Sequence, residues 1–188
     1  MLKTLRQIAS IGIASESPPQ ADESLRIRDH LQDRIRNVLG RALCIRHIDA
    51  GSCNGCELEI HALNNPLYNL EGLGIRFVAS PRHADLLLVT GPVSRHMEVA
   101  LRRTYEATPD PKLVVALGDC GCTGGIFGES YATRGRISNV IPVDVAVPGC
   151  PPSPTRILEG ILAAFACSPA TAPSAEGQAA SHSAPRKG

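Results

Sequence analysis

Short apolar runs alternate along this chain with stretches whose apolar positions recur every three or four residues. That alternation predicts strands separated by helices, as in an open sheet covered on both faces. Strand-length runs fall at 42–48, 75–79, 86–90, 112–117 and 143–147. Residues 86–89 are apolar without interruption, as a strand buried on both sides should be. Ahead of the first run, Leu25, Ile27, Leu31, Ile35, Val38 and Leu39 keep helical spacing, with Ser24 as the expected cap and Gly40 as the stop. A short helix carrying Glu57, Leu58, Ile60, His61 and Leu63 should follow the first strand and break at Asn65 and Pro66. Further helices are expected over 94–107 and 154–166, the last opened by Ser153 as N-cap and Pro154 at N1. The fold class is therefore α/β, an open parallel sheet of four to five strands in three layers. Residues 24–167 form one domain. Residues 1–23 read as an N-terminal extension, and 168–188, rich in Ser, Ala, Pro and Gly, as a tail without structure of its own.

Composition narrows the function. Of 188 residues, 43% are hydrophobic, enough for a core. Nineteen basic residues face eighteen acidic ones, giving a formal charge of +1. No strong field points at nucleic acid, and three Phe, three Tyr and no Trp offer few stacking platforms. Near-zero charge suits a subunit covered by others better than a free monomer. No apolar run approaches the ~20 residues that cross a bilayer, and no signal peptide is expected. Seven cysteines, an odd count, do not read as a secreted disulfide framework. In a reducing compartment, clustered cysteines point to metal or redox chemistry.

Four of them sit at the carboxyl ends of expected strands. Cys53 and Cys56 form a C-x2-C pair in GSCNGCE after strand one. Cys120 lies in LGDCGCTGG after strand four, and Cys150 in VPGCPP after strand five. Open α/β sheets gather their ligand sites at this edge, so distant loops can converge there. Four thiolates suit zinc or an iron–sulfur cluster. A zinc ribbon uses two tight knuckles, and only one is present. The glycines around Cys120 and the prolines after Cys150 give room for a bulky cluster, with backbone N–H groups near its sulfurs. Cluster, zinc and unliganded thiols all remain open on chemistry alone. Cys44, inside a strand, reads as a packed apolar residue, and Cys167 as incidental. Cys122 competes with Cys120 for the third position; Cys120 is preferred because it directly follows the strand.

Other motifs are missing. There is no G-x-G-x-x-G at the Gly-rich loop, no P-loop and no H-E-x-x-H. No substrate pocket is evident, and the chain reads as an electron conduit. Glu57 follows the second cysteine, either as a capping or surface acid or as a proton-path or interface residue. His47 and His61 read as ordinary polar packing. Arg95 and His96, after TGPV, are candidates for an interface. Asp49 and Asp119 are expected to hold their own turns by side-chain bonds to backbone.

The blocks AGSCNGCELEI, ADLLLVTGPV, ALGDCGCTGGIFG and VPGCPPSPTRILEGIL resemble the [NiFe]-hydrogenase small subunits and the 20-kDa-type, proximal-cluster subunit of complex I. The resemblance covers roughly residues 24–166. It implies a flavodoxin-like domain in which Cys53, Cys56, Cys120 and Cys150 hold one [4Fe–4S] cluster. The complex I subunit carries adjacent cysteines at the first site, whereas here two residues separate Cys53 from Cys56, the hydrogenase arrangement. Uptake-type small subunits have a twin-arginine leader and a C-terminal region for two further clusters; neither is expected here. The resemblance thus points to the small subunit of membrane-bound, complex-I-related hydrogenases linked to formate, CO or ferredoxin. Implied partners are a large subunit with the Ni–Fe centre, a ferredoxin-type iron–sulfur subunit and complex-I-like membrane subunits. The implied location is peripheral, on the cytoplasmic side of the inner membrane. The alternatives are the cluster subunit of a complex-I-like quinone reductase, or of a complex with a degenerate Ni–Fe site, and a zinc-stabilised assembly or scaffold protein.

Overall fold

A computed structural model describes residues 23–167, together with Arg6. The expected tail over 168–188 lies outside the described residues, as does the extension apart from Arg6 and Glu23. The elements run α1 (Glu23–Leu39), β1 (Leu43–Asp49), α2 (Gly55–Ala62), β2 (Ile75–Phe77), β3 (Leu86–Thr90), α3 (Arg95–Ala107), β4 (Leu113–Leu117), α4 (Gly118–Thr123), β5 (Val145–Val147) and α5 (Pro154–Cys167).

All five strands pair in parallel, in the order β2-β1-β3-β4-β5. This is the flavodoxin-like order, whose direction of winding reverses between β1 and β3. β3 is central, and every one of its residues is buried. Its side chains alternate between two cores, as the two-residue period of a strand requires. Leu86 and Leu88 join Leu31 and Ile35 of α1, Ile60 of α2 and Ile157, Ile161 and Phe165 of α5. Leu87 and Val89 join Leu101 of α3 and Ile137 from a 3-10 turn at Ile137–Asn139 on the other face. Each such fully buried leucine contributes about 1.5–3 kcal/mol of transfer free energy.

Four details depart from the sequence expectation. α1 already includes Ser24, so that residue is not its cap. β2 and β5 are three residues each, shorter than expected. At β5 the Asp144 N–H donates to the Val114 carbonyl at 2.9 Å, but its carboxylate, not a backbone carbonyl, accepts the Val114 N–H at 2.7 Å where the strand would have begun. The Gly-rich stretch after β4, read as a loop, is the short helix α4. The amino edge of the sheet also holds a cavity of about 480 Å³, lined in part by Cys44, Arg76, Arg82, His83 and Leu113, where no pocket was expected. Arg41 closes on Asp85 beside it at 2.6 Å. Among the described residues, no helix is long and apolar enough to cross a membrane.

Candidate metal centre

The site is built from three chain segments at the carboxyl edge. After β1, Asp49 Oδ1 accepts the N–H groups of Gly51 at 2.8 Å and Ser52 at 2.7 Å, folding the chain sharply ahead of Cys53. This is the local role expected for it. Burial raises the Asp49 carboxyl, but those hydrogen bonds outweigh it, and its acidity ends below the ordinary value. Asn54 then sits in the left-handed region, φ 70°, as the residue before α2, which carries Cys56 and Glu57.

After β4, Gly118 turns the chain with φ +82° into α4. A Cβ at Gly118 would stand 2.6 Å from Cys56 Sγ and 3.4 Å from the Gly149 carbonyl. Here only glycine lets the second and third segments approach the C-x2-C helix. A Cβ on Gly125 would likewise stand 2.9 Å from Cys120 Sγ, and one on Gly55 would lie 3.6 Å from Cys53 Sγ and 4.0 Å from Pro151. The Cys53–Cys56 turn, the start of α4 and the Cys150 turn are therefore in mutual contact.

The thiols sense one another electrostatically. Burial, then Glu57, Cys53, Cys120 and Cys150, push the Cys56 thiol up to about 12. Cys120 is raised by burial and then by Cys150, Cys53 and Asp119. Cys56 and Cys120 thus resist ionising alone, and a cationic metal centre would relieve the repulsion. Cys122 lies elsewhere. Its Sγ sits 3.6 Å from the Ala116 carbonyl and packs on the α3 face of the sheet. Its thiol is raised to about 11 by burial and by Asp119, with no other thiol contributing. Cys44 is buried in β1, and the side chain of Cys167 is not described.

Among the described residues, no three His, Cys, Asp or Glu side chains are gathered tightly enough for a single metal ion. Four thiolates on one zinc stand about 3.8 Å apart, given ~2.3 Å bonds in a tetrahedron. A cube of four irons spreads its thiolates wider, because each binds a different corner. The glycines beside Cys56 and Cys120, and four thiol donors carried on three segments, fit that group.

Glu57 is 8% exposed. Its Oε1 accepts the Thr90 hydroxyl, and Thr90 Oγ1 lies 3.0 Å from His47 Nε2. His47 Nε2 is also 3.5 Å from Glu57 Oε1. Glu57 Oε2 is buried without a hydrogen-bond partner among the described residues. Burial pushes the His47 imidazole below its ordinary value, against the opposing pull of Glu57 and Asp49. Thr90 was not singled out in the sequence. A polar residue ending an otherwise apolar strand was the available signal. His61 is exposed on α2, and Arg95 and His96 are exposed at the start of α3.

Comparison with protein families matches residues 53–164 to the NADH ubiquinone oxidoreductase, 20 Kd subunit. The chain belongs to this family. It is 47% identical over 141 residues to the probable membrane-bound hydrogenase subunit mbhJ of Pyrococcus furiosus, covering 73% of this chain and 84% of that one. It is 42% identical to formate hydrogenlyase subunit 7 of Escherichia coli, over 79% of this chain but only 57% of the relative. It is 44% identical to an NADH-quinone oxidoreductase subunit of Desulfovibrio desulfuricans, over 57% of this chain and 58% of the relative. Among solved structures, a chain of the membrane-bound sulfane sulfur reductase, an archaeal respiratory membrane complex, superposes with a TM-score of 0.59 and 34% identity, over 77% of this chain and 75% of that chain. A chain of the NAD+-reducing [NiFe]-hydrogenase shares the fold, at TM-score 0.51 and 21% identity. This family member is an electron-transfer subunit of a hydrogenase or complex-I-like oxidoreductase, and membership implies a capacity to bind iron and sulfur.

Proposed function

We propose that this chain carries one [4Fe–4S] cluster on Cys53, Cys56, Cys120 and Cys150 and serves as the small subunit of a membrane-associated, energy-conserving [NiFe]-hydrogenase. The observation that carries the reading is the meeting of three cysteine-bearing segments around a glycine cradle at the carboxyl edge. Such a cluster supplies one-electron storage when bound. The chain's own residues do the rest. The four thiols would hold it, and Gly118 and Gly125 leave room beside Cys56 and Cys120. Glu57, with Thr90 and His47 behind it and a free carboxylate oxygen, is the candidate proton-path or interface residue. Leu58, Ile126, Phe127 and Tyr131 expose large apolar surface on segments next to Cys56 and Cys120. That exposure suits a large subunit with a Ni–Fe centre, covering the cluster. A ferredoxin-type subunit and complex-I-like membrane subunits complete the assembly, attached peripherally at the cytoplasmic side.

The two-residue spacing between Cys53 and Cys56 favours the hydrogenase branch over the quinone-reductase one. The likeness to a sulfane sulfur reductase chain supports a second reading, a related complex without hydrogenase chemistry. Metal analysis and EPR of the intact complex test both. At least four irons per copy of this chain, nickel in the complex and a reducible, EPR-active centre are expected, the ferredoxin-type subunit and the Ni–Fe centre adding iron of their own. Iron without nickel would favour the second reading. A colourless, zinc-loaded complex would overturn both in favour of a zinc-stabilised scaffold.

A further inference from the structure

The carboxyl edge contains a tie between two cysteine segments that backbone pairing alone does not make. The β4–β5 ladder ends with Leu117 opposite Val147. The chain then leaves the strand at Gly118 and coils into α4. Asp119 N–H still donates to the Gly149 carbonyl at 2.9 Å, just past the end of the ladder. The Gly149 N–H has no strand carbonyl to meet, because β4 has ended. Asp119 Oδ1 accepts the Gly149 N–H instead, at 2.8 Å. Both backbone groups of Gly149 are thereby satisfied by one residue thirty positions away. Asp119 directly precedes Cys120, and Gly149 directly precedes Cys150.

The joint has little slack on either side. Gly149 has φ +143°, and a Cβ there would meet Pro152 Cα at 2.6 Å. Gly118, on the other side, is pressed against Cys56 Sγ. Asp49 offers the contrast, since both its bonds stay within its own turn.

We propose that Asp119 is a positioning residue. It fixes the separation of Cys120 and Cys150 through Gly149, and it sets a carboxylate beside them that holds the bound cluster at a lower potential. The inference rests on the cluster reading above. A hydrogen bond to a charged acceptor between two ligand turns resists their opening. A nearby negative charge disfavours adding an electron.

The test uses the intact complex with Asp119→Ala and Asp119→Asn. Iron content, the rate of iron loss to a chelator, the reduction potential from an EPR-monitored titration and amide exchange at Gly149 are read in each. Asp119→Ala is expected to lose iron about tenfold faster, the effect of one lost charged hydrogen bond. Its Gly149 amide should exchange faster and its potential should rise. Asp119→Asn keeps an acceptor oxygen without the charge. It should lose iron more slowly than the Ala variant while its potential rises. Wild-type iron retention and potential in the Ala variant would overturn the proposal, as would an Asn variant that loses iron as fast as Ala. A wild-type complex without iron would sink the cluster reading instead. The Gly149 amide would then decide the tie by itself, since unchanged exchange in the Ala variant refutes it.

Discussion

The two edges of the sheet differ in a way that reverses ordinary expectations about sites. The amino edge holds a cavity of about 480 Å³, with arginines and a buried cysteine around it. Its chemistry is largely settled. Asp85 pairs with Arg41 and also accepts the Cys44 N–H at 3.0 Å, and Arg76 Nε lies 3.3 Å from Cys44 Sγ. Lys112 Nζ donates to the Thr108 carbonyl at 3.1 Å just past α3, where a cation offsets the partial charge of the helix's free carbonyls. The carboxyl edge has crowded glycines, thiols that resist ionising, and a buried carboxylate oxygen without a partner. In an electron-transfer subunit, unmet chemistry marks the site better than volume does.

The largest expected contrast is between cysteines. Replacing Cys53, Cys56, Cys120 or Cys150 by Ala should abolish or convert the iron centre, read as iron content and EPR signal. Cys44→Ala, at the opposite edge, should leave both intact and cost about 1–2 kcal/mol of stability. Cys122→Ala should behave like Cys44→Ala. Loss of iron in the Cys122 variant with retention in the Cys120 variant would break the comparison.

Glycines give the next contrast. Gly118→Ala forces a Cβ onto Cys56 Sγ in a left-handed conformation. It should cost about 1–3 kcal/mol and lower iron occupancy. Gly40→Ala also meets positive φ, +61°, but nothing lies within 4 Å. It should cost about 1 kcal/mol and leave the iron untouched. Equal iron loss in both variants would argue for global destabilisation.

Asp85→Ala tests the amino edge directly. The Arg41 side chain is more than half exposed, so the ion pair itself contributes little. The main cost is the Cys44 N–H left unpaired, about 1–2 kcal/mol in a thermal or urea melt, with no change in the iron signal. An altered iron signal would show that the two edges are coupled.

The smallest effect concerns His47. Its folded pKa lies below its ordinary value of about 6.5, chiefly through burial. Between those two values the unfolded chain binds more protons than the folded one. Stability is therefore complete above about pH 6.5 and declines as the pH falls through the window. Urea midpoints from pH 7 to 5 should show that decline, and His47→Gln should flatten it.

How far these features could be read in advance depended on whether their causes were local. An unbroken apolar run needs cover on both faces wherever it occurs, so β3 fell at the expected residues, 86–90. The order of the cysteines along successive strand ends implied that they share an edge, because a parallel sheet puts those ends together. α4 was hidden, since GDCGCT has poor helix propensity. It is stopped by Gly124 in the left-handed region, whose N–H donates to the Cys120 carbonyl. The sequence places Asp119 in its own turn, because a partner thirty residues away leaves no trace in local pattern. Thr90 ends β3 with no exposure at all, but periodicity cannot say that its hydroxyl meets Glu57.

The fourth cysteine follows the shortest and outermost strand on its side of the sheet, β5, which pairs only with β4. On the proposed reading, a bound cluster is a four-armed cross-link that joins this edge strand to β1 across the intervening β3 and β4. Its arms close long loops, whose entropy has already been lost when the sheet is complete. Metal would then enter last, and its uptake would report that the final strand had docked.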